Sequence, residues 1–174
     1  MNIRATLLAL ALAPLCLAAN PVVAGETDAS RIRPPHPAGN RIAGVWLTHA
    51  EVRPCGSTVP FQEVRNTLLF NAGGTWVDMP RFPPGGADIP TGHYERSHGL
   101  GTWSYNRNTG RYVADVRFDQ FLDGVYTGYT RIHRDLQMSH DGDLISGPVR
   151  ATGYAPNDTV LVELCGTGVS TRDL

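Results

Sequence analysis

The chain carries Gly44-Val45-Trp46, Gly74-Thr75-Trp76 and Gly101-Thr102-Trp103, three triplets that contain all of its tryptophans. Each triplet lies at or near the start of a run of residues typical of a β-strand. Glycine has no side chain, so it lets a strand bend or another backbone approach closely, and the indole two residues later covers the core. A pattern that every tryptophan obeys predicts a small, strongly curved β-barrel.

Strand-like runs and turn signals alternate from residue 42 onward, and no helical pattern interrupts them. Asp123-Gly124, between two such runs, is a strong signal for a two-residue hairpin. Successive strands joined by short turns form a meander, and closing that meander removes its exposed edges. The predicted fold is therefore all-β, an eight-stranded antiparallel up-and-down barrel. Its strands are predicted at 42–52, 61–70, 75–79, 99–106, 111–122, 125–138, 144–154 and 159–172.

The stretch 80–98 is the exception, because it contains four prolines and the sequence Pro83-Pro84-Gly85-Gly86. Proline cannot donate a hydrogen bond to a β-ladder, so this stretch is predicted to be irregular. Long loops in compact domains are usually functional or disordered. We expect this one to lie over one mouth of the barrel as a lid, with Trp76 and Trp103 flanking it.

The N-terminal residues have the features of an export signal. Arg4 precedes an apolar run over 5–19 that is too short to span a bilayer and is followed by small residues. Cleavage after Ala24 and cleavage after Ala18 both fit the small-residue rule, and we favour Ala24. Lipidation at Cys16 is an alternative, but the residues before it suit that modification poorly.

These features predict a single folded domain in an exported bacterial protein, periplasmic or secreted, and monomeric. The predicted organisation is a signal peptide at 1–24, a disordered leader at 25–40 and one β-barrel domain at 41–174. The net charge of −1 argues against binding to nucleic acid or to an anionic membrane. All fifteen basic residues are arginines, so no lysine is available for Schiff-base chemistry.

Two cysteines, Cys55 and Cys165, remain once the signal is removed. In an exported protein such a pair favours a disulfide over a metal site. Cys55 follows the first predicted strand and Cys165 lies in the last, and these strands are neighbours in a closed barrel. A bridge between them would join the seam and contribute roughly 4–5 kcal/mol by the chain-entropy estimate.

The fifth and sixth predicted strands leave the inner face of the barrel open to two interpretations. The fifth alternates cleanly, with Tyr112 to Phe118 placing every second, apolar side chain on one face. Pairing through a two-residue turn would bring Tyr129, Arg131 and His133 to that inner face. A bulge between residues 119 and 122 would instead turn Ile132, Leu136 and Met138 inward.

A family resemblance rests on features spread over the mature chain. These are Ile42-Ala43-Gly44-Val45-Trp46, Cys55-Gly56, Gly101-Thr102-Trp103, the Asp123-Gly124 turn before Gly128-Tyr129-Thr130-Arg131-Ile132, and the closing stretch 164–172. With them the chain resembles a group of uncharacterised exported bacterial proteins with lipocalin-like, calycin-type barrels. The resemblance implies the fold and carries no activity with it.

Chemical motifs are sparse. The chain has neither a nucleophile elbow nor a phosphate-binding glycine loop. His93 and His98 in the long stretch would bind zinc or copper if they met His49 or His133, but their spacing is not a ligand motif, and we expect no metal and no cofactor.

The function best supported by the sequence is binding of a small apolar or amphipathic ligand inside the barrel. Two alternatives remain. One is a cofactor-free isomerase or cyclase in which Tyr129, Arg131 and His133, with Glu51 or Glu63, supply acid, base and anion clamp. The other is a structural or protein-interaction module of the cell envelope. The residues predicted to bind the ligand are Trp76, Trp103, Phe118, Tyr129, Arg131 and His133.

Overall fold

Antiparallel β-strands account for most of the chain that the structure describes. This computed structural model describes residues 38–59, 61–83 and 85–173, within which ten strands and one short 3-10 helix (Ala38–Asn40) are present. The strands are β1 (Gly44–Pro54), β2 (Gln62–Phe70), β3 (Thr75–Pro80), β4 (Ala87–Ile89), β5 (Gly92–Arg96), β6 (Gly99–Asn106), β7 (Arg111–Leu122), β8 (Val125–Met138), β9 (Leu144–Tyr154) and β10 (Val160–Arg172).

Eight of these strands close into a barrel. The order around it is β1-β2-β3-β6-β7-β8-β9-β10, every neighbour is antiparallel, and β10 pairs with β1 to complete the circle. This is the up-and-down architecture of lipocalin-like barrels, so the predicted fold class is confirmed. Four of the eight predicted strands have the observed bounds, and the ends of the others lie within two residues of the prediction.

The signal peptide predicted over 1–24 lies outside the described residues. So does the leader predicted over 25–40, except for its last three residues, which form the 3-10 helix. No helix in the described part of the chain is long and apolar enough to cross a membrane.

One half of the barrel, here called the closed half, is filled by aromatic side chains. Phe70 stacks on Trp76 with ring centroids 5.1 Å apart, and it meets Trp103 edge to face at 6.3 Å. Each indole N–H also donates to a backbone carbonyl, which satisfies a polar group that burial would otherwise leave unpaired. The core cluster consists of Ile42, Trp46, Leu68, Phe70, Trp76, Trp103, Tyr112, Ala114, Val116, Leu136 and Ile145.

Gly101 on β6 makes room for the indole of Trp76 on the neighbouring strand β3. The indole of Trp76 on β3 reaches across β6 and donates from Nε1 to the carbonyl of Asp115 on β7, 2.8 Å away. It crosses β6 at Gly101, where a Cβ would lie 2.6 Å from the indole nitrogen and 2.0 Å from the Asp115 carbonyl. Because Gly101 has no side chain, the indole of β3 can cross β6 and donate a hydrogen bond to the backbone of β7.

The stretch 80–98 is more regular than predicted. It contains the hairpin of β4 and β5, and β5 pairs with the end of β7 just beyond β6. The prediction that its prolines exclude regular sheet was wrong, because Pro80 ends β3, Pro83 precedes β4 and Pro90 lies in the turn between β4 and β5. These prolines do not interrupt the ladder, and the hairpin extends the sheet alongside the end of β7.

The register of β7 and β8 contains the predicted bulge. Gln120 pairs with Gly128 and Phe121 with Tyr126, so Thr127 is an extra residue on β8. Beyond it Phe118 faces Thr130, which places Ile132 and Leu136 inside. The interpretation that turned Tyr129, Arg131 and His133 inward was therefore wrong.

The disulfide Cys55–Cys165 is present, with the Cα atoms 5.0 Å apart. Cys165 lies on β10 opposite Arg53 of β1, so the bridge is next to the pairing that closes the barrel. The predicted disulfide and its place at the seam are confirmed.

Replacing Gly101 by alanine should destabilise the barrel by at least about 2 kcal/mol, because the new methyl group collides with backbone. Gly85→Ala is the matched control, since a Cβ there meets nothing within 4 Å. Urea unfolding followed by tryptophan fluorescence measures both variants, and equal midpoints would contradict the role given to Gly101.

The double variant Cys55→Ser, Cys165→Ser should unfold at lower urea concentration, by about 2–5 kcal/mol, because the open seam regains chain entropy in the unfolded state. In the native protein a thiol reagent should label these cysteines only after denaturation and reduction. Labelling of Cys55 without reductant would show that the bridge does not form.

Candidate functional site

A cavity of about 560 Å³ occupies the other half of the barrel, here called the open half. The strands surround it with inward-facing side chains. Four residues that follow β3 also contribute to its wall: Arg81, Phe82, Tyr94 and Arg96. Pockets that bind small molecules usually have volumes of about 300–1,000 Å³. The cavity is therefore large enough for a ligand.

One side of the cavity is apolar. The alternating inner positions of β1, β2, β9 and β10 carry small or aliphatic side chains here, in contrast to the rings of the closed half. This leaves space that larger residues would fill. The residues of the apolar side are Ala50, Val52, Val64, Val149, Ala151 and Leu164.

A buried polar layer, here called the floor, separates the cavity from the aromatic core. Its members are Thr48, Asn66, Asp78, Arg134 and Ser170, all less than 9% exposed. Asp78 lies two residues beyond the core residue Trp76, and Arg134 lies two before Leu136, so both face inward on the side of the core nearer the cavity. Thr48 and Ser170 satisfy each other through a hydroxyl pair 2.7 Å apart.

Asp78 is the centre of the floor. One of its carboxylate oxygens accepts a hydrogen bond from Arg96 Nη2 at 3.1 Å, and the other accepts from the Asn66 amide at 3.1 Å. The guanidinium of Arg96 lies 3.8 Å from the ring centroid of Phe118, so its flat face is covered by an aromatic ring. Arg96 therefore connects the β4–β5 hairpin to the floor.

Arg134 is the second cation of the floor, and it is 3% exposed. Its Nε and Nη2 atoms are buried, and neither has a hydrogen-bond partner among the described residues. The Nη2 atom lies beside Gly168 on β10, where a Cβ would be only 2.5 Å from it. The glycine therefore provides the space in which this guanidinium rests.

Burial acts on the protonation of both charged groups of the floor. It raises the pKa of the Asp78 carboxyl, against the opposing effects of Arg96 and Arg134. Burial also lowers the pKa of Arg134 to about 10, while the charge of Asp78 acts to raise it. Arg134 is thus a buried cation at neutral pH.

A short polar chain continues from the floor up the wall formed by β7 and β8. Thr130 donates to the side-chain oxygen of Gln120 at 3.1 Å, and the Gln120 amide donates to the Tyr94 hydroxyl at 3.1 Å. All three residues line the cavity. The cavity is therefore amphipathic, with an apolar side, a polar side and a charged floor.

Of the residues predicted to bind a ligand, Phe118 lines the cavity. Trp76 and Trp103 instead belong to the core of the closed half, because β3 and β6 carry them away from the stretch that they flank in the sequence. The expectation that they line the mouth beneath a lid was therefore wrong.

Tyr129, Arg131 and His133 lie on the outer face, as the bulge requires. Tyr129 is buried there by Arg117, 3.8 Å from its ring centroid, and its hydroxyl donates to Asp158 at 2.7 Å. His133 Nδ1 lies 2.8 Å from Asp115 Oδ1, on the same outer surface. The catalytic set proposed from these three residues does not form inside the barrel.

The remaining histidines of that analysis lie apart. His49, on the outer face of β1, is 3.7 Å from a Glu63 oxygen, and His93 Nδ1 in the hairpin is 2.7 Å from Asp88. Within residues 38–59, 61–83 and 85–173, no group of three or more His, Cys, Asp or Glu side chains is arranged to hold a metal ion.

Four residues of this site were not predicted from the sequence: Asn66, Asp78, Arg96 and Arg134. A signal for Arg134 was present, since it is in phase with Ile132 and Leu136, which were candidates for the inner face. Asp78 follows Trp76 with the same period of two. The cluster itself was not visible, because its members come from four strands.

Comparisons with known proteins add little to this geometry. Neither a protein-family model nor a curated protein sequence matches the chain. A solved structure that is similar is the S-type phycobiliprotein lyase CPES from Guillardia theta, with a TM-score of 0.37 and 12% sequence identity. The alignment covers 78% of this chain and 90% of the lyase chain. A likeness of this degree assigns no ligand and no residue role.

Replacing Asp78 by leucine should lower the free energy of unfolding by about 3–5 kcal/mol, because it leaves buried donors of Arg96 and Asn66 without their acceptor. Asp115→Leu is the matched control, since it removes an exposed carboxylate that pairs with His133 and should change stability little. Urea unfolding of the two variants makes the comparison, and similar losses in both would contradict the role of Asp78.

Proposed function

We propose that this protein is an exported carrier that binds a small amphipathic ligand in the open half of its barrel. The observation that carries the proposal is the cavity of about 560 Å³ above a solidly packed aromatic core. A barrel that served only as a scaffold would gain stability by filling this space, since each buried methylene contributes about 0.8 kcal/mol. Small residues such as Ala50 and Ala151 leave it open.

The lining supports an amphipathic ligand over a wholly apolar one. The aliphatic residues of β1, β2, β9 and β10 suit a hydrocarbon segment, while Gln120, Thr130 and Tyr94 offer hydrogen bonds on the opposite wall. Sites for small molecules combine mostly apolar walls with a few polar groups that fix orientation. The same combination is present here.

Two observations support export. The N-terminal sequence has the features of a cleaved signal, and the Cys55–Cys165 disulfide suits an oxidising compartment. The carrier would then act in the periplasm or outside the cell, as a monomer.

A cofactor-free isomerase or cyclase is less well supported. The acid, base and clamp proposed for it are on the outer face, and Glu51 also points outward from β1. We therefore favour binding without chemistry.

A neutral fluorophore, N-phenylnaphthylamine, should gain fluorescence when it enters the cavity. In Ala151→Phe a ring fills part of that space, so the affinity should fall by at least about tenfold, or about 1.4 kcal/mol. Thr167→Phe places the same ring on the outer face of β10 and should bind like the native protein. Equal binding by all three proteins would place the fluorophore elsewhere and contradict the proposal.

The natural ligand is addressed by native mass spectrometry of the protein purified from its own source. A retained small molecule, lost from Ala151→Phe and kept by Thr167→Phe, is the expected result. A retained molecule that survives in Ala151→Phe would mean that it does not occupy the cavity.

A further inference from the structure

We propose that the ligand is an amphipathic anion, a carboxylate in its simplest form, and that Arg134 at the floor of the cavity binds its charged group. This inference rests on the proposed function and names the class of ligand that the cavity takes. It is independent of any acid–base chemistry.

The first argument is the unmet hydrogen-bonding capacity of Arg134. Buried polar groups in proteins nearly always have partners, and a buried donor without one is destabilising. Arg134 has two such donors, Nε and Nη2, within the part of the chain that the structure describes. These two atoms lie on one edge of the guanidinium, and such an edge can pair with both oxygens of a carboxylate. Both atoms are buried, so a carboxylate in the cavity reaches them only when the Arg134 side chain turns this edge toward it.

The second argument is the imbalance of charge at the floor. Two guanidinium groups, Arg96 and Arg134, share the single carboxylate of Asp78. The oxygens of that carboxylate accept hydrogen bonds from Arg96 and Asn66, and Arg134 interacts with it only through space. One positive charge is left over even when Asp78 is ionised, and an isolated buried charge is strongly unfavourable. A monoanionic ligand would neutralise it.

The third argument is the space made for this cation. Gly168 replaces a side chain at the point where Nη2 rests, and the β10 backbone thus lets Arg134 lie low against the wall. Held in this way, its guanidinium is part of the floor, and the volume above it stays free.

The other charged groups around the cavity do not offer an equivalent site. Arg96 is engaged with Asp78 and covered by Phe118, and Arg65 pairs with Glu63 on the outer face of β2. Arg81 also lines the cavity, but it is exposed, so its charge carries no cost of burial. A cationic ligand at the floor would meet uncompensated positive charge, and a neutral alcohol would leave that charge in place. An anion is the ligand type that removes the cost.

The test compares ten-carbon probes that differ only in the head group. Decanoate, decanol and decylamine are used, at near-neutral pH and below their aggregation limits, to displace N-phenylnaphthylamine from the native protein. We expect decanoate to displace the fluorophore at a concentration at least about tenfold lower than decanol, with decylamine weakest. Equal potency of decanoate and decanol would overturn the assignment of an anion.

Arg134→Met then assigns the preference to this residue. Methionine keeps an unbranched apolar side chain and leaves the Asp78–Arg96 pair in place, so the variant should fold and still bind the neutral fluorophore and decanol. Its preference for decanoate should disappear. Arg131→Met removes an arginine from the outer face of the same strand and should leave the preference unchanged. A preference that persists in Arg134→Met would overturn the role of Arg134.

If Arg134→Met does not fold, Gly168→Ala gives a second test. Its methyl group displaces the guanidinium without removing it, so the preference for decanoate should fall by at least about threefold while decanol binding is kept. An unchanged preference would contradict the proposal. The carrier function and this inference can be refuted separately. Absence of fluorophore binding by the native protein would refute the carrier function. Binding without a preference for the anion would refute only this inference.

Discussion

The pairing of β1 with β10 is the contact on which the rest of the structure depends. A meander of eight strands has an inside only when its first and last strands meet, and nine consecutive residue pairs, from Trp46–Arg172 to Pro54–Leu164, make that closure. The Cys55–Cys165 bridge adds a covalent link beside the same pairing. Once the ring is closed, alternation assigns every second residue to the interior of the barrel.

The closed half of the interior stabilises the barrel, and the open half holds the cavity proposed to bind a ligand. Rings from β2, β3 and β6 fill the closed half, and small or aliphatic side chains leave the open half vacant. The floor lies between them, and its charged side chains are buried at the boundary. Retaining an incompletely paired cation there, in place of an apolar side chain of similar size, is the kind of local cost that proteins carry at functional sites.

Much of the fold could be predicted from the sequence, because strand bounds and the seam depend on local signals. The Gly-x-Trp triplets and Asp123-Gly124 each indicate the structure of a short segment. The positions of the two cysteines indicate that the first and last strands are neighbours. The inner face of β8 could not be decided, because a single extra residue, Thr127, reverses it. The prediction for Trp76 and Trp103 failed for a related reason. They lie close to the stretch 80–98 in the sequence, but β3 and β6 carry them away from it in space.

The site was harder to predict than the fold. Asp78, Arg96 and Arg134 come from β3, β5 and β8, and only closure brings them together. The prolines of 80–98 also hid the β4–β5 hairpin, since the residues that pair lie on either side of Pro90. Phe118 was found because it lies in phase with an unbroken apolar alternation, which is the strongest local signal for an inward position.

The β4–β5 hairpin has a further consequence, for how such a protein diversifies. It pairs only with the end of β7, outside the ring of eight strands, so its length and its tip can change without altering any pair of the barrel. Loops carried on a rigid framework are where new specificities arise with least harm to folding. Arg96 sets the limit on that freedom. Any replacement hairpin must still deliver a hydrogen-bond donor to Asp78, or one oxygen of this buried carboxylate loses its partner.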